Sequence, residues 1–162
     1  MNDRNFLREL LYGLGSHLHT LHALEGLDPA LAGGSCPGAP HTIFQVLQHM
    51  VYWQDIALAR MRGESAPQPA TAAEGWTSPA VPEDASDWEA TVASLAEGLR
   101  SIEALVADPE VPLDRTTDER RGRTLLDEVL LVTGHNSYHL GQIVQLRQQL
   151  GAWPPPKGGD TW

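Results

Sequence analysis

Over 162 residues, 41% hydrophobic and 20% charged side chains match a folded globular protein rather than a disordered one, and the length suits one domain with a sizeable core. The 21 acidic residues outnumber the 11 basic ones, leaving a net charge of −10; the densest basic spot, Arg120-Arg121-Gly122-Arg123, adjoins Asp118-Glu119, so no nucleic-acid partner is expected. No run approaches the roughly 18 apolar residues of a membrane span, Met1-Asn2-Asp3-Arg4 lacks the start of a secretory signal, and the single cysteine, Cys36, permits no internal disulfide, so a cytoplasmic protein without a membrane partner is expected.

Helical periodicity runs through four segments, and none shows the alternation of a strand. The first covers about 3–25, with Phe6, Leu7, Leu10, Leu11, Leu14, Leu18, Leu21 and Leu24 at helical spacing; Gly13 and Gly15 weaken it, and Asp28-Pro29 ends it. The second, about 42–61, opens on Thr42 and Gln45 at the spacing of a capping box. Its apolar stripe is Ile43, Val46, Leu47, Met50, Trp53, Ala57 and Met61. The third, about 87–107, is expected to open on a Ser86–Glu89 box, and its stripe of Trp88, Val92, Leu95, Leu99, Ile102 and Leu105 or Val106 alternates steps of four and three. The fourth, about 125–150, has Thr124 as its cap, Asp127 three residues on, and Gly151 just past its end. Four amphipathic helices and no strand predict an all-α four-helix bundle.

The connections are uneven. Residues 63–85, rich in Ala, Pro, Ser and Gly with Trp76 among them, are too many for a hairpin between antiparallel neighbours. Extended, such a segment runs back along a bundle of about 30 Å, so the second and third helices are expected to point the same way. The 109–123 connection is expected to be partly irregular, and the tail from Trp153 through Pro154-Pro155-Pro156 to Trp162 has no helical pattern.

Chemistry concentrates in His135-Asn136-Ser137-Tyr138-His139-Leu140-Gly141-Gln142. Residues four apart on a helix leave the same face with Cβ atoms about 6 Å apart, so His135 and His139 can close on one metal ion. A third imidazole stands in the second helix: His49 follows Val46 by three residues and precedes Trp53 by one turn, and so faces or borders the interior. Burying a lone imidazole requires a partner. Both helices thus carry inward histidines near mid-length, the way metal sites are built in bundle cores. His17, His19 and His22 read as surface or bundle-edge residues, and His41 as part of the start of the second helix. Cys36, in the Gly-rich Gly33-Gly34-Ser35-Cys36-Pro37-Gly38, has no neighbouring base and reads as a bystander.

With these residues the chain resembles the DinB/YfiT-like family of metalloenzymes. The resemblance rests on Leu47-Gln48-His49-Met50-Val51-Tyr52-Trp53, on Gly134-His135-Asn136-Ser137-Tyr138-His139-Leu140-Gly141-Gln142-Ile143, and on the close Leu146-Arg147-Gln148-Gln149-Leu150-Gly151 followed by Trp153-Pro154-Pro155. It implies an up-down-down-up bundle with a long crossover between helices two and three. It also implies a divalent metal, commonly nickel or zinc, on His49, His135 and His139, and often a homodimer. Characterised relatives are mostly thiol-dependent: transferases joining a low-molecular-weight thiol to an electrophile, and an isomerase.

Three neutral imidazoles leave coordination positions open for water or substrate, the mark of a catalytic site. A metal there lowers the pKa of water or thiol towards neutrality. Imidazole ligation by itself suits zinc, nickel, copper and iron alike; the resemblance puts zinc or nickel first, with iron, manganese or copper compatible. Glu128, seven residues before His135, is the candidate to orient a ring or shuttle a proton, and Gln142, seven after, to hydrogen-bond a ligand. Tyr52 and Tyr138 are expected to close the core rather than donate protons. The leading reading is a metal-dependent S-transferase using a small-molecule thiol and an electrophilic substrate. A metallohydrolase and a non-catalytic metal-binding or stress-response bundle are its rivals.

Overall fold

The helices begin where side chains answer their free backbone N–H groups. The computed structural model describes residues 3–66, 69–76 and 79–159, and among these three long helices dominate: α3 (Ile43–Arg62), α4 (Ala85–Ala107) and α5 (Leu125–Gln149). Both expected threonine boxes form. Thr42 Oγ1 accepts from Gln45 N while Gln45 Oε1 accepts from Thr42 N, and Thr124 and Asp127 exchange the same pair of bonds. The third box does not form. Helix α4 starts earlier, at Ala85, because Asp84 accepts from Asp87 N at 3.0 Å and also from the Ser86 hydroxyl at 2.6 Å. A carboxylate at that position complements the helix N-terminus and takes the capping role from Ser86. Helix α3 ends on Gly63, which adopts the left-handed φ of 73°.

The long first helix expected over 3–25 is much shorter. Helix α1 spans Asp3–Leu11 and stops before Gly13, whose φ is 85°. There the His17 ring occupies the space a Cβ on Gly13 would need. The chain continues through turns, a 3-10 turn at His22–Leu24 and the one-turn α2 (Pro29–Ala32), and Leu18, Leu24 and Leu27 are buried from those turns rather than from a helix face. The spacing of leucines was helical by coincidence, and two glycines with positive φ override it.

Helix α3 packs along both α4 and α5, and α1 lies against both of those. Phe44, Leu47, Met50, Leu95, Leu99, Ile102, Leu125 and Ile143 fill the contact and are excluded from solvent. The structure is helical apart from two antiparallel strands, β1 (Thr116–Asp118) and β2 (Arg123–Thr124), with Thr116 opposite Thr124. Elements of three and two residues are too short for alternation to register, so no strand was expected. No helix among the described residues is long and apolar enough to cross a membrane.

Arg147 on α5, 2% exposed, ties distant segments to that helix. Its Nε and Nη2 donate to Ala152 O at 3.1 and 2.8 Å, and its Nη1 donates to Ala23 O and Glu25 O. Arg147→Met strands these carbonyls in an apolar setting. The expected cost is about 2–4 kcal/mol of unfolding free energy, read from urea denaturation. An unchanged midpoint would show that the carbonyls are satisfied otherwise.

Candidate metal centre

Helices α3 and α5 bring the three expected histidines together. His49 is 4% and His139 5% exposed, His135 is half-buried, and their candidate ligand nitrogens all lie within 4.8 Å of one another. His49 Nε2 stands 3.3 Å from His135 Nε2. Two arrangements satisfy that contact: one ring lends a proton to the other, or both lone pairs face a cation. Tetrahedral bonds of 2.0–2.1 Å from a metal to imidazole give an N···N edge of about 3.3–3.4 Å, so the spacing fits a shared ion.

The outer nitrogens are engaged. His49 Nδ1 donates to Gly75 O at 3.0 Å, and His139 Nδ1 donates to Gln142 Oε1 at 2.7 Å. With Nδ1 protonated in each, Nε2 carries the lone pair, and the ring is aimed by its acceptor. Gly75 has to be a glycine here, because a Cβ would sit 2.9 Å from His49 Nδ1 and 2.8 Å from Trp53 Nε1. Its neighbour Trp76 stacks on the His49 ring, centroids 3.7 Å apart, and His41 stacks on the other face of Trp76 at 3.8 Å. The segment joining α3 to α4 therefore roofs the centre with an indole and supplies a carbonyl to orient one ring.

Burial sets the protonation. Desolvation pushes His49 down to about 4, against the hydrogen bond to Gly75, and desolvation with the neighbouring His139 and His49 rings pushes His135 to about 4. Desolvation lowers His139 as well. At neutral pH all three rings are uncharged and have lone pairs to give.

Two cavities lie near the triad, the smaller lined by His135 and the larger by none of the three rings. One of about 240 Å³ opens beside His135 and is lined by Trp53, Gln54, Arg60, Glu128 and Asn136. The other, about 430 Å³ and largely apolar, meets Gln142 and includes His41, Val46, Tyr138 and Leu146.

The remaining candidates fall out as follows. Gln142 holds His139. Glu128, 1% exposed, hydrogen-bonds none of the three rings and lies instead 3.8 Å from Arg60 Nη1 and 3.7 Å from Arg123 Nη1. His17 lies against Ser137 Oγ at 2.8 Å, and His19 stacks between Tyr12 and His22; none of His17, His19 and His22 joins the triad. Cys36 is a buried free thiol packed in the core, its Sγ 3.9 Å from Leu146 O. Tyr138 does not close the core: it is 68% exposed, because α5 turns position 138 outward while 135 and 139 face in. Tyr52 is partly buried, edge-on to Trp53.

Sequence reasoning missed Gly75, Gln54, Arg60 and Asn136. Gly75 carries no local signal, since its partner is 26 residues away. Arg60 had one: positions 53, 57 and 60 follow His49 by four, eight and eleven, the inward line of α3.

The model of one protein family, the DinB superfamily, matches residues 18–143 and so covers most of the chain, including all three histidines. No curated protein and no solved structure shows a significant match.

Two outcomes are expected. Gln142→Leu and Gly75→Ala each release one ring, and affinity for zinc, measured by competition with a chromophoric chelator, should fall about 10–100-fold. Unchanged affinity in both would mean that the acceptors do not orient the rings. In the metal-free protein, rings held near pKa 4 when folded bind fewer protons than in the unfolded chain, where histidine titrates near 6.5, so stability is lost as pH drops from about 6.5 to 4. His135→Gln should flatten that decline relative to the parent chain in urea midpoints across this window; parallel curves would refute it.

Proposed function

The chain belongs to the DinB superfamily, and on that premise we propose that it is a divalent-metal-dependent enzyme, most specifically a transferase that joins a low-molecular-weight thiol to a small electrophile. The observation that carries the proposal is the convergence of three neutral imidazoles from two helices on one point. We propose further that α1, α3, α4 and α5 take the up-down-down-up order of a four-helix bundle and that the chain forms a homodimer, both as the family resemblance implies, in a single cytoplasmic domain.

His49, His135 and His139 would hold the ion, with zinc or nickel foremost. Bound there, it supplies Lewis acidity, lowering the pKa of a thiol or water brought to it. The protein's own groups do the rest. Gly75 O and Gln142 Oε1 fix two rings in the tautomer that presents Nε2. Trp76 covers the His49 face and limits water there. Glu128 lines the cavity beside His135 and is our candidate to accept the thiol proton.

The cavity lined by His135 opens directly on the triad, and a second, larger one lies beyond Gln142, the residue that holds His139. Room for a second organic reactant next to the first supports transfer over hydrolysis, which needs only one organic substrate and water.

The test is conjugation of cysteine or glutathione with 1-chloro-2,4-dinitrobenzene by tag-free protein loaded with zinc or nickel. Conjugation should exceed that of metal-free protein at least about tenfold and vanish in His49→Ala. Cleavage of p-nitrophenyl acetate without thiol would assign a hydrolase instead, and inertness in both assays a binding role.

A further inference from the structure

The cavity beside His135 holds an unusual concentration of buried polar atoms without partners. Gln54, 1% exposed, donates through Nε2 to Leu95 O at 3.2 Å and leaves its Oε1 unsatisfied. Asn136, 2% exposed, lies beside the His135 ring with neither amide atom in a hydrogen bond of good geometry. Arg60, 9% exposed, has an unpartnered Nε, and Glu128 Oε1 has only the two long arginine contacts. All four residues line the same cavity, together with Arg123 and Trp53. Buried donors and acceptors are normally satisfied, and a group of them around one hollow means that something else completes them.

What completes them can be read from their chemistry. Three guanidiniums line the cavity against the Glu128 carboxylate; with Arg121 paired to Asp118 at 3.8 Å, Arg60 and Arg123 leave a net positive charge in a chain whose overall charge is −10. The arginines call for an acid group, and a planar carboxylate suits the guanidinium fork. The Gln54 Oε1 and the Asn136 carbonyl are acceptors and call for N–H donors, which a simple anion lacks. Trp53 supplies an apolar wall. A volume of about 240 Å³ takes roughly eight to ten non-hydrogen atoms at about 25–30 Å³ each.

We propose that this cavity is a recognition subsite for the non-reacting part of the substrate, an amino-acid-like group carrying a carboxylate and an adjacent amide or ammonium N–H. Arg60 and Arg123 take the carboxylate, and Gln54 and Asn136 take the N–H. The position next to His135 places such a molecule with its remaining substituent towards the triad. The assignment of the bound molecule as a substrate rests on the function proposed above; the binding itself does not.

N-acetylglycine, with eight non-hydrogen atoms, is the probe ligand, titrated calorimetrically into the full chain with and without zinc and into His49→Ala. Acetate, N-methylacetamide and inorganic phosphate are the comparisons. N-acetylglycine is expected to bind at least about tenfold more tightly than each of them, in the metal-free protein and His49→Ala too. Arg60→Gln weakens it about tenfold or more, and Gln54→Leu reduces it to the level of acetate. Arg123→Gln and the selectivity of the parent chain decide the matter should Arg60→Gln melt early. Phosphate binding as tightly as N-acetylglycine would make the cavity a general anion site. The absence of saturable binding would make it a solvated void, and affinity unchanged in all three variants would place the ligand elsewhere; each of these overturns the proposal. Binding in His49→Ala without conjugation in the loaded parent would leave the subsite standing and the transferase reading refuted.

Discussion

His49 and His135 stand with ring nitrogens 3.3 Å apart because α3 and α5 are packed against one another along their length. That contact constrains everything near it. Two lone pairs so close repel, a proton shared between them relieves the repulsion only for one pair, and His139 adds a third nitrogen within 4.8 Å. Desolvation holds the rings neutral, so protonation is a poor way out. A cation is the one partner that satisfies three lone pairs at once, and the packing of Leu47, Met50, Val129 and Ile143 against the core keeps the rings where one would sit.

The connection between α3 and α4 is part of the same centre rather than a mere link. Its 3-10 turn at Ala72–Trp76 places Gly75 O on one side of His49 and the Trp76 indole over the ring. Thr42 adds a further tie, its hydroxyl donating to Ala80 O at 2.6 Å, so the far end of the segment is bound near the start of α3. A connection of this length is uncommon unless it has a task. Roofing and orienting a buried imidazole is such a task.

Legibility in the sequence tracked how local the deciding interaction is. Thr42–Gln45 and Thr124–Asp127 are contacts over three residues, and both helix starts could be read from them. The i,i+4 pair on α5 is local too, and His49 joined it through stripe position alone. The first helix was misread because leucine spacing outweighed Gly13 and Gly15, whose positive φ breaks the periodicity. Gly75, Gln54 and Asn136 stayed hidden because their roles depend on partners across the fold. Arg60 was passed over because a guanidinium reads as exposed, yet it is buried where Glu128 awaits it.

The connection between α4 and α5 explains why positive charge gathers where it does. Leu125 N donates to Arg115 O and Leu126 N to Leu113 O, both at 2.9 Å, while Arg115 donates to Met61 O at the end of α3. The segment is thereby fastened to both helices that carry the histidines. Its two-stranded ribbon then delivers Arg123 one residue before the α5 cap, within 3.7 Å of the Glu128 carboxylate on the next turns. Along the chain, Arg120, Arg121 and Arg123 look neutralised by Asp118 and Glu119. In the fold all of Arg60, Arg121 and Arg123 reach the cavity wall, but Arg121 pairs with Asp118 at 3.8 Å, which leaves Arg60 and Arg123 against Glu128. A strongly acidic surface repels anions at long range, but screening confines that field to roughly 8–10 Å at physiological salt. Inside the cavity the near guanidiniums govern, so an acidic chain can hold a carboxylate beside its histidines.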